Sequence, residues 1–245
     1  MIGTLINIAT VFIGGITGSI LGGRLSSRIR ETVVSGLGLF TCALGIQMFF
    51  ETHNVLIVLG SLLVGAIIGE ATKIEERLQN LGKWLETRYN NTRKTQEGQE
   101  SATGVPTKFV RGFLSASLLF CVGPMTILGS IQDGLTGNYS LLAVKAVLDG
   151  FAALAFASSL GVGVLFSTII ILVYQGGISL LASQVQTIVT PVMMDEMSAV
   201  GGIILLGIGI GSLLEIRPIR SGNFLPALIL APLIVWVLTL LGVTI

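Results

Sequence analysis

Long apolar stretches alternate with short polar segments along the whole chain, and their length predicts what they form. A helix needs about 20 mostly apolar residues to cross a bilayer, within a range of about 17–25. Eight stretches meet this length, at residues 3–22, 33–50, 54–71, 109–131, 139–158, 161–183, 197–214 and 222–243. They are apolar on all sides, whereas strands of a membrane barrel are about ten residues long and alternate in polarity. The pattern predicts an all-α, polytopic membrane protein with about eight transmembrane helices.

The composition agrees with this prediction. The chain has 245 residues, of which 52% are hydrophobic and 11% are charged, against about 25% charged in an average soluble domain. A soluble core of this length cannot bury so many apolar side chains, which argues against a soluble globular protein, a nucleic-acid binder and a disordered chain. The 32 glycines lie mostly within apolar runs, where small residues let helices approach closely.

The charges are segregated, and this predicts a topology. Thirteen of the 14 Lys and Arg residues fall beside the connections between spans one and two, three and four, and seven and eight. The opposite connections carry Glu51, His53, Asp133, Asp195 and Glu196 and no Lys or Arg. Because basic connections stay in the cytoplasm, we expect both termini to lie outside and a short cytoplasmic turn to lie near residues 158–162.

One hydrophilic segment interrupts the spans at residues 73–106. Its first part, residues 73–89, has apolar residues at helical spacing, namely Ile74, Leu78, Leu81 and Leu85, with Trp84 beside them. This is typical of an amphipathic helix at the cytoplasmic interface. Residues 90–106 are polar and aperiodic, which predicts a linker. A connector between two halves is favoured over a binding segment for a soluble partner.

Two short patterns recur later in the chain, both at the same separation in residues, and suggest an internal repeat. Gly14, Gly15 and Ile16 match Gly176, Gly177 and Ile178, and residues 44–46 match residues 206–208. Apolar sequences also match by chance, which is the alternative. A true repeat would be inverted, as in many secondary transporters, whose site lies where the repeats meet. The predicted organisation is a first repeat at 1–72, the segment 73–106, central spans at 107–158 and a second repeat at 159–245.

Span four contains Gly123 and Pro124 well inside its apolar run. Proline removes a helical hydrogen bond and clashes with the preceding turn, and the freed carbonyl groups need partners in the membrane. Gln132 and Asp133 follow within three turns. The pattern predicts a broken helix beside a polar cavity, with a plain proline kink as the alternative.

Span five carries a Lys–Asp pair within its hydrophobic region. Lys145 and Asp149 are four residues apart and therefore share one helix face. Charges inside a bilayer are costly and usually face a cavity or a partner. We expect Asp149 to bind a cation or proton and Lys145 to attract an anionic group; a structural ion pair is the alternative.

Three further groups of residues are candidates for lining a pathway: Asn7, Gln175, and the pair Gly176 and Gly177, beside which a ligand could approach the backbone. Hydrogen bonds between helices are the alternative role for the two amides. With a single His and no phosphate-binding motif, we expect no cofactor, no metal and no catalytic residues, although a membrane enzyme is not excluded.

Several segments together resemble a bacterial membrane-protein family named domain of unknown function 554. They are residues 3–7 (GTLIN), 121–134 (CVGPMTILGSIQDG), 145–150 (KAVLDG), 174–177 (YQGG) and 223–227 (NFLPA). The resemblance covers essentially the whole chain. It implies a bacterial inner-membrane protein and no particular chemistry, so any function must be argued from the residues.

The sequence favours a small secondary transporter or channel-like carrier for an unidentified small solute or ion. The alternative is a non-transporting scaffold or sensor that acts through residues 73–106. The expected partners are the lipid bilayer and the solute or ion, with a second copy of the chain as a further candidate and no nucleic acid.

Overall fold

The computed structural model describes residues 1–92, 106–187 and 189–242, and within them every regular element is a helix. The α-helices are α1 Ile2–Gly22, α2 Ser27–Phe49, α3 Val55–Thr72, α4 Ile74–Thr92, α5 Lys108–Cys121, α6 Pro124–Thr136, α7 Ser140–Leu160, α8 Ser167–Leu180, α9 Ala182–Gln186, α10 Pro191–Ile208 and α11 Leu225–Leu240. The 3-10 helices Val162–Phe166 and Ser221–Phe224 precede α8 and α11, and a π-helical turn, Gly209–Leu213, extends α10.

Seven helical segments are long and apolar enough to cross a membrane, and α5 with α6 forms an eighth if the bent pair crosses as one span. The predicted all-helical, multi-span fold is confirmed. Residue 161 forms the expected tight turn after α7, where Gly161 has φ 82°. The predicted linker at 90–106 begins later than expected, because α4 continues to Thr92, and most of it lies outside the described residues, as does residue 243, the last of span eight.

Three acidic positions expected in connections are helical. The seventh span begins at Pro191 rather than residue 197, so Asp195 and Glu196 lie inside α10. Its start is fixed by Pro191 in the first turn and by the Thr190 side chain, which accepts a hydrogen bond from the Met193 amide at 3.3 Å. Asp133 likewise belongs to α6, which continues to Thr136.

Helices α1 and α7 pack side by side and run parallel. A Cβ atom at Gly14, Gly18 or Gly22 would overlap a backbone carbonyl of α7, at Gly150, Leu154 and Ser158 respectively. Both sets of residues are spaced by four, so the two helices stay in contact over more than two turns. The glycine pattern of span one therefore serves close helix packing.

The flanking helices pack as antiparallel pairs. In α2 and α10, Gly45 and Gly202 each face the other's carbonyl oxygen. In α3 and α11, Gly65 contacts the backbone of Ala227, and Gly69 contacts that of Asn223. Small residues again let the backbones meet, which is how helices associate where lipid offers no hydrophobic driving force.

The span that contains Gly123 is broken rather than kinked. Helix α5 ends at Cys121, α6 begins at Pro124, and the two helices meet at 62°. Gly123 has φ 143°, a conformation that L side chains rarely adopt. Pro124 occupies the first turn of α6, where its missing N–H costs nothing, and the Thr126 hydroxyl donates to the freed Phe120 carbonyl at 3.2 Å.

The bundle has two ends of different character. The N-terminal end carries Met1, the α2–α3 turn, the α6–α7 turn and α9. There, buried Glu196 accepts hydrogen bonds from the Thr52 hydroxyl and from the His53 and Asn54 amides at 2.7–2.9 Å. The basic end carries the α1–α2 turn, α4, the turn after α7 and residues 214–220, and it holds every described Lys and Arg except Lys145.

Helix α4 lies where the amphipathic helix is predicted, and it packs against the bundle at the basic end. Leu78, Gly82, Leu85 and Tyr89 face α5, while Trp84 is 61% exposed. At its start, Glu75 accepts from the Gly222 amide at 2.7 Å, and its own amide donates to Asn223 at 2.8 Å. Leu78 and Leu85 of the predicted stripe therefore pack within the molecule, whereas Leu81 is exposed.

We expect Leu85→Ala to lower the free energy of unfolding by about 2 kcal/mol, because it removes a buried side chain and leaves a cavity. Trp84→Ala, one position earlier and exposed, is the matched control and should change it by less than about 0.5 kcal/mol in detergent. Unfolding in mixed micelles measures both. Equal effects of the two replacements would mean that α4 does not dock through Leu85.

Candidate functional site

A buried network of polar side chains joins α1, α7 and α8 toward the N-terminal end. Its members are Thr4, Asn7, Lys145, Asp149 and Gln175, each at most 8% exposed. The Asn7 amide nitrogen donates to Asp149 Oδ2 and to Gln175 Oε1, both at 3.0 Å. Gln175 Nε2 donates to the Thr4 hydroxyl at 3.2 Å. The structure thus brings together four residues that the sequence proposed separately, and adds Thr4.

The charged pair at the centre of this network belongs to one helix. Lys145 Nζ contacts Asp149 Oδ2, the same oxygen that accepts from Asn7. Asp149 is the tenth residue of α7, which places it about 14 Å along the helix, close to the middle of a hydrocarbon layer about 30 Å thick. An ion pair at this depth is stable only with further hydrogen bonds, which Asn7 supplies.

The second carboxylate oxygen of Asp149 has no hydrogen-bond partner among the described residues. Among the described residues, Asp149 Oδ1 accepts no hydrogen bond, since Lys145 and Asn7 both use Oδ2. A carboxylate can accept on both oxygens. The site therefore combines a paired oxygen with one that can take a proton or a cation without first breaking a bond.

Asp133 lies next to this network, and Gln132 does not. Asp133 is 2% exposed, and its Oδ2 accepts from the Gly3 amide at 3.1 Å and lies 3.2 Å from the Met1 amino nitrogen. Gly3 precedes Thr4 of the network. Gln132 instead lines a cavity of about 240 Å³ between α6 and the α9–α10 region, with Leu128, Gln186 and Met194 among its other residues.

The glycines expected to border a pathway have mixed roles. Gly123 and Pro124 form the break between α5 and α6 and belong to none of the hydrogen bonds of the network. Gly176 and Gly177 lie inside the continuous helix α8. A Cβ atom at Gly176 would contact the Met1 and Thr4 side chains, whereas one at Gly177 would meet nothing within 4 Å.

A larger cavity, of about 390 Å³, opens at the basic end between the ends of α1 and α7, α4 and the start of α5. Ser19, Glu86, Lys108, Ser158 and Ser159 give it a polar lining. Within the described residues, neither this cavity nor the one beside Gln132 reaches Asp149. Lys145 and Asp149 themselves are 6% and 8% exposed in this conformation.

Sequence reasoning missed two residues that the structure makes important. Thr4 is fully buried and completes the network, and its spacing of three from Asn7 was the available signal. Glu196 is also fully buried. Its signal was Asn54 at the start of span three, because a helix N-terminus attracts a carboxylate, but nothing in the sequence pairs these two segments.

Comparisons with known proteins place this architecture in a family. Residues 2–236 match the family model described as "Protein of unknown function (DUF554)". The chain belongs to this family. The predicted resemblance is therefore confirmed, and it extends over both the buried network and the broken helix.

Two relatives cover almost the whole chain. The "Uncharacterized protein YqgA" of Escherichia coli (strain K12) is 33% identical over 231 residues, which is 94% of each chain. The "Uncharacterized membrane protein YdfK" of Bacillus subtilis (strain 168) is 27% identical over 246 residues, 99% of each chain. No solved structure matches. The apolar helices of this chain indicate an integral membrane protein, in agreement with the name of the second relative.

Proposed function

We propose that this family member is a small secondary transporter or channel-like carrier whose coupling cation or proton binds at Asp149. The observation that carries this proposal is the buried network in which Asp149 of α7 contacts Asn7 of α1 and, through Asn7, Gln175 of α8. Charged residues deep in a membrane are expensive and usually serve a pathway or a proton relay.

The proposed mechanism is a competition for one carboxylate. In this conformation the ammonium of Lys145 neutralises Asp149. A proton or cation that binds Asp149 releases Lys145, because the carboxylate no longer needs its positive charge. The freed ammonium can then pair with an anionic group of a solute. Binding of the ion and binding of the solute are coupled in this way through a single side chain.

Binding of a proton or cation at Asp149 also alters the contacts between α1, α7 and α8. Helices α1 and α7 are fixed by the contacts of Gly14, Gly18 and Gly22, whereas the described bonds between α1 and α8 at this level run through Asn7, Thr4 and Gln175. We infer that the α1–α7 pair moves as a unit against α8. The shielded pair then represents a closed state between two open ones.

The helix pairing supports the proposed inverted repeat. Span one meets span six through Asn7 and Gln175, while α2 packs antiparallel to α10 and α3 antiparallel to α11. These are the pairs expected if spans one to three and six to eight are related by an axis in the membrane plane, with α5, α6 and α7 between them. Carriers built in this way bind at the meeting point of the repeats.

The distribution of charge supports an orientation in the bacterial inner membrane. The basic end would face the cytoplasm and the N-terminal end the outside, because Lys and Arg are retained on the cytoplasmic side. The alternative function is a scaffold or sensor acting through residues 73–106. Leu78 and Leu85 of α4 are occupied by packing on α5, which leaves Leu81 and Trp84 as its exposed apolar side chains.

Charge movement across a membrane tests the proposal. Proteoliposomes are adsorbed on a solid-supported electrode, and the bath is stepped in Na⁺ concentration or in pH. We expect the parent to give a transient current for at least one of these ions, because an ion that enters the site moves charge through part of the bilayer. We expect Asp149→Asn to reduce that current to the level of protein-free liposomes.

The matched control is Asp195→Asn. Asp195 is half-buried at the N-terminal end, where it pairs with His53 at 2.9 Å, and its replacement should leave the current unchanged. Thermal melting of each variant verifies that it is folded. A parent that is silent to both ions, or a folded Asp149→Asn variant with the parent's current, would overturn the proposed function.

A further inference from the structure

Three buried oxygen atoms near the network have no hydrogen-bond partner among the described residues. They are Asn7 Oδ1, Asp133 Oδ1 and Ser179 Oγ. The residues that carry them are 0%, 2% and 4% exposed. Leaving a buried polar atom unpaired is costly, and native proteins normally satisfy it with protein, water or an ion.

The three oxygens belong to one seam between α1, α6 and α8, which we call the α1–α6–α8 seam. Asp133 binds the Gly3 amide at the start of α1. The Ser179 carbonyl faces Gly134, the next residue of α6. Gln175 lies one turn before Ser179 in α8 and binds Asn7. The oxygens are thus spread over about one helical turn, from the N-terminal end toward Asp149.

The chemistry of these atoms indicates what they bind. The amide nitrogen of Asn7 is committed to Asp149 and Gln175, so its free atom is a carbonyl oxygen and a pure acceptor. The free atom of Asp133 is a carboxylate oxygen, also an acceptor. Their missing partner is therefore a hydrogen-bond donor or a cation, and neutral amide and hydroxyl oxygens bind cations far better than they bind protons.

We propose that the α1–α6–α8 seam binds a partly dehydrated Na⁺ ion on its way from the N-terminal end to Asp149. The seam offers a single free carboxylate oxygen beside neutral oxygens, which suits a monovalent ion, since sites for divalent cations such as Ca²⁺ rely on several carboxylates. This inference rests on the proposed function and names its coupling ion and the route of that ion.

Stabilisation by salt tests the seam, with NaCl as the probe and choline chloride at equal ionic strength as the reference. A ligand that binds only the folded state raises its melting temperature progressively with ligand concentration, and the dependence yields the dissociation constant. We expect Na⁺ to do so for the full chain in detergent. Ser179→Ala should raise the dissociation constant for Na⁺ about tenfold, the effect of losing one contact to a charged group.

Ser221→Ala is the control, because Ser221 is also 4% exposed with an unpaired hydroxyl, but lies at the basic end. Ser221→Ala should leave the dissociation constant for Na⁺ unchanged. Equal stabilisation by Na⁺ and choline, or equal shifts for both serine variants, would overturn the seam and indicate ordered water there. If pH steps still produced a current that depends on Asp149, the proposed function would stand without the seam. If neither Na⁺ steps nor pH steps produced such a current, both the seam and the proposed function would be overturned.

Discussion

Lys145→Met is expected to lower the free energy of unfolding by about 3 kcal/mol, because it leaves the carboxylate of Asp149 charged and unpaired inside the bundle. The two residues are 6% and 8% exposed, so little water can replace the lost ammonium. Asn7 would still donate to Asp149 Oδ2, but one amide does not neutralise a charge. Unfolding in mixed micelles measures the change.

The double variant Lys145→Met with Asp149→Asn separates charge from packing. It removes both charges and keeps an amide oxygen that can accept from Asn7. We expect its stability to lie within about 1 kcal/mol of the parent, since neutral replacements of buried ion pairs are often tolerated. A double variant as unstable as Lys145→Met would show that the pair stabilises the fold, which is the structural alternative to a role in ion binding.

Gly18→Val is expected to destabilise the protein by about 3 kcal/mol, at the upper end of the usual cost of overpacking. A Cβ atom at this position would overlap the Leu154 carbonyl of α7 and lie 3.0 Å from the Ala157 Cβ. A backbone carbonyl cannot rotate away as a side chain does. The helices would have to separate, which also pulls Asn7 of α1 from Asp149 of α7.

Gly60→Val is the matched control for this prediction. Gly60 lies in α3, and a Cβ atom there would meet nothing within 4 Å. Its replacement should change stability by less than about 1 kcal/mol. Melting temperatures in detergent compare the two variants. Similar losses for both would mean that helix propensity rather than the α1–α7 contact explains the effect at Gly18.

Much of the fold is predictable from the sequence because a bilayer requires long apolar helices and allows few alternatives. The break at Gly123 and Pro124 and the amphipathic face of α4 are local features, and they are readable from neighbouring residues. The start of α10, in contrast, cannot be read from neighbouring residues. Residues Asp195 and Glu196 suggest a connection by composition, and only the α2–α3 turn packed against them makes helical burial favourable.

In the candidate site, too, some contacts follow from neighbouring residues and others only from how the helices pack. The pairing of Lys145 with Asp149 follows from their spacing along one helix. The choice of Asn7 and Gln175 as their partners follows from how α1, α7 and α8 meet, which no single segment encodes. Gln132 and Asp133 are adjacent in the chain, yet α6 turns one to a cavity beside α9 and the other to α1.

The parallel contact of α1 with α7 has a consequence for how the protein is made. Residues 14 and 150 meet although more than 100 residues separate them, so the first helix leaves the ribosome long before its partner. Until α7 arrives, α1 exposes to lipid only uncharged polar groups such as Thr4 and Asn7. Lys145 and Asp149 reach the bilayer together on one helix, so each charge enters with its counter-charge one turn away. Insertion of α7 therefore requires no isolated charge in hydrocarbon, and the amides of α1 and α8 complete a pair that is already neutral.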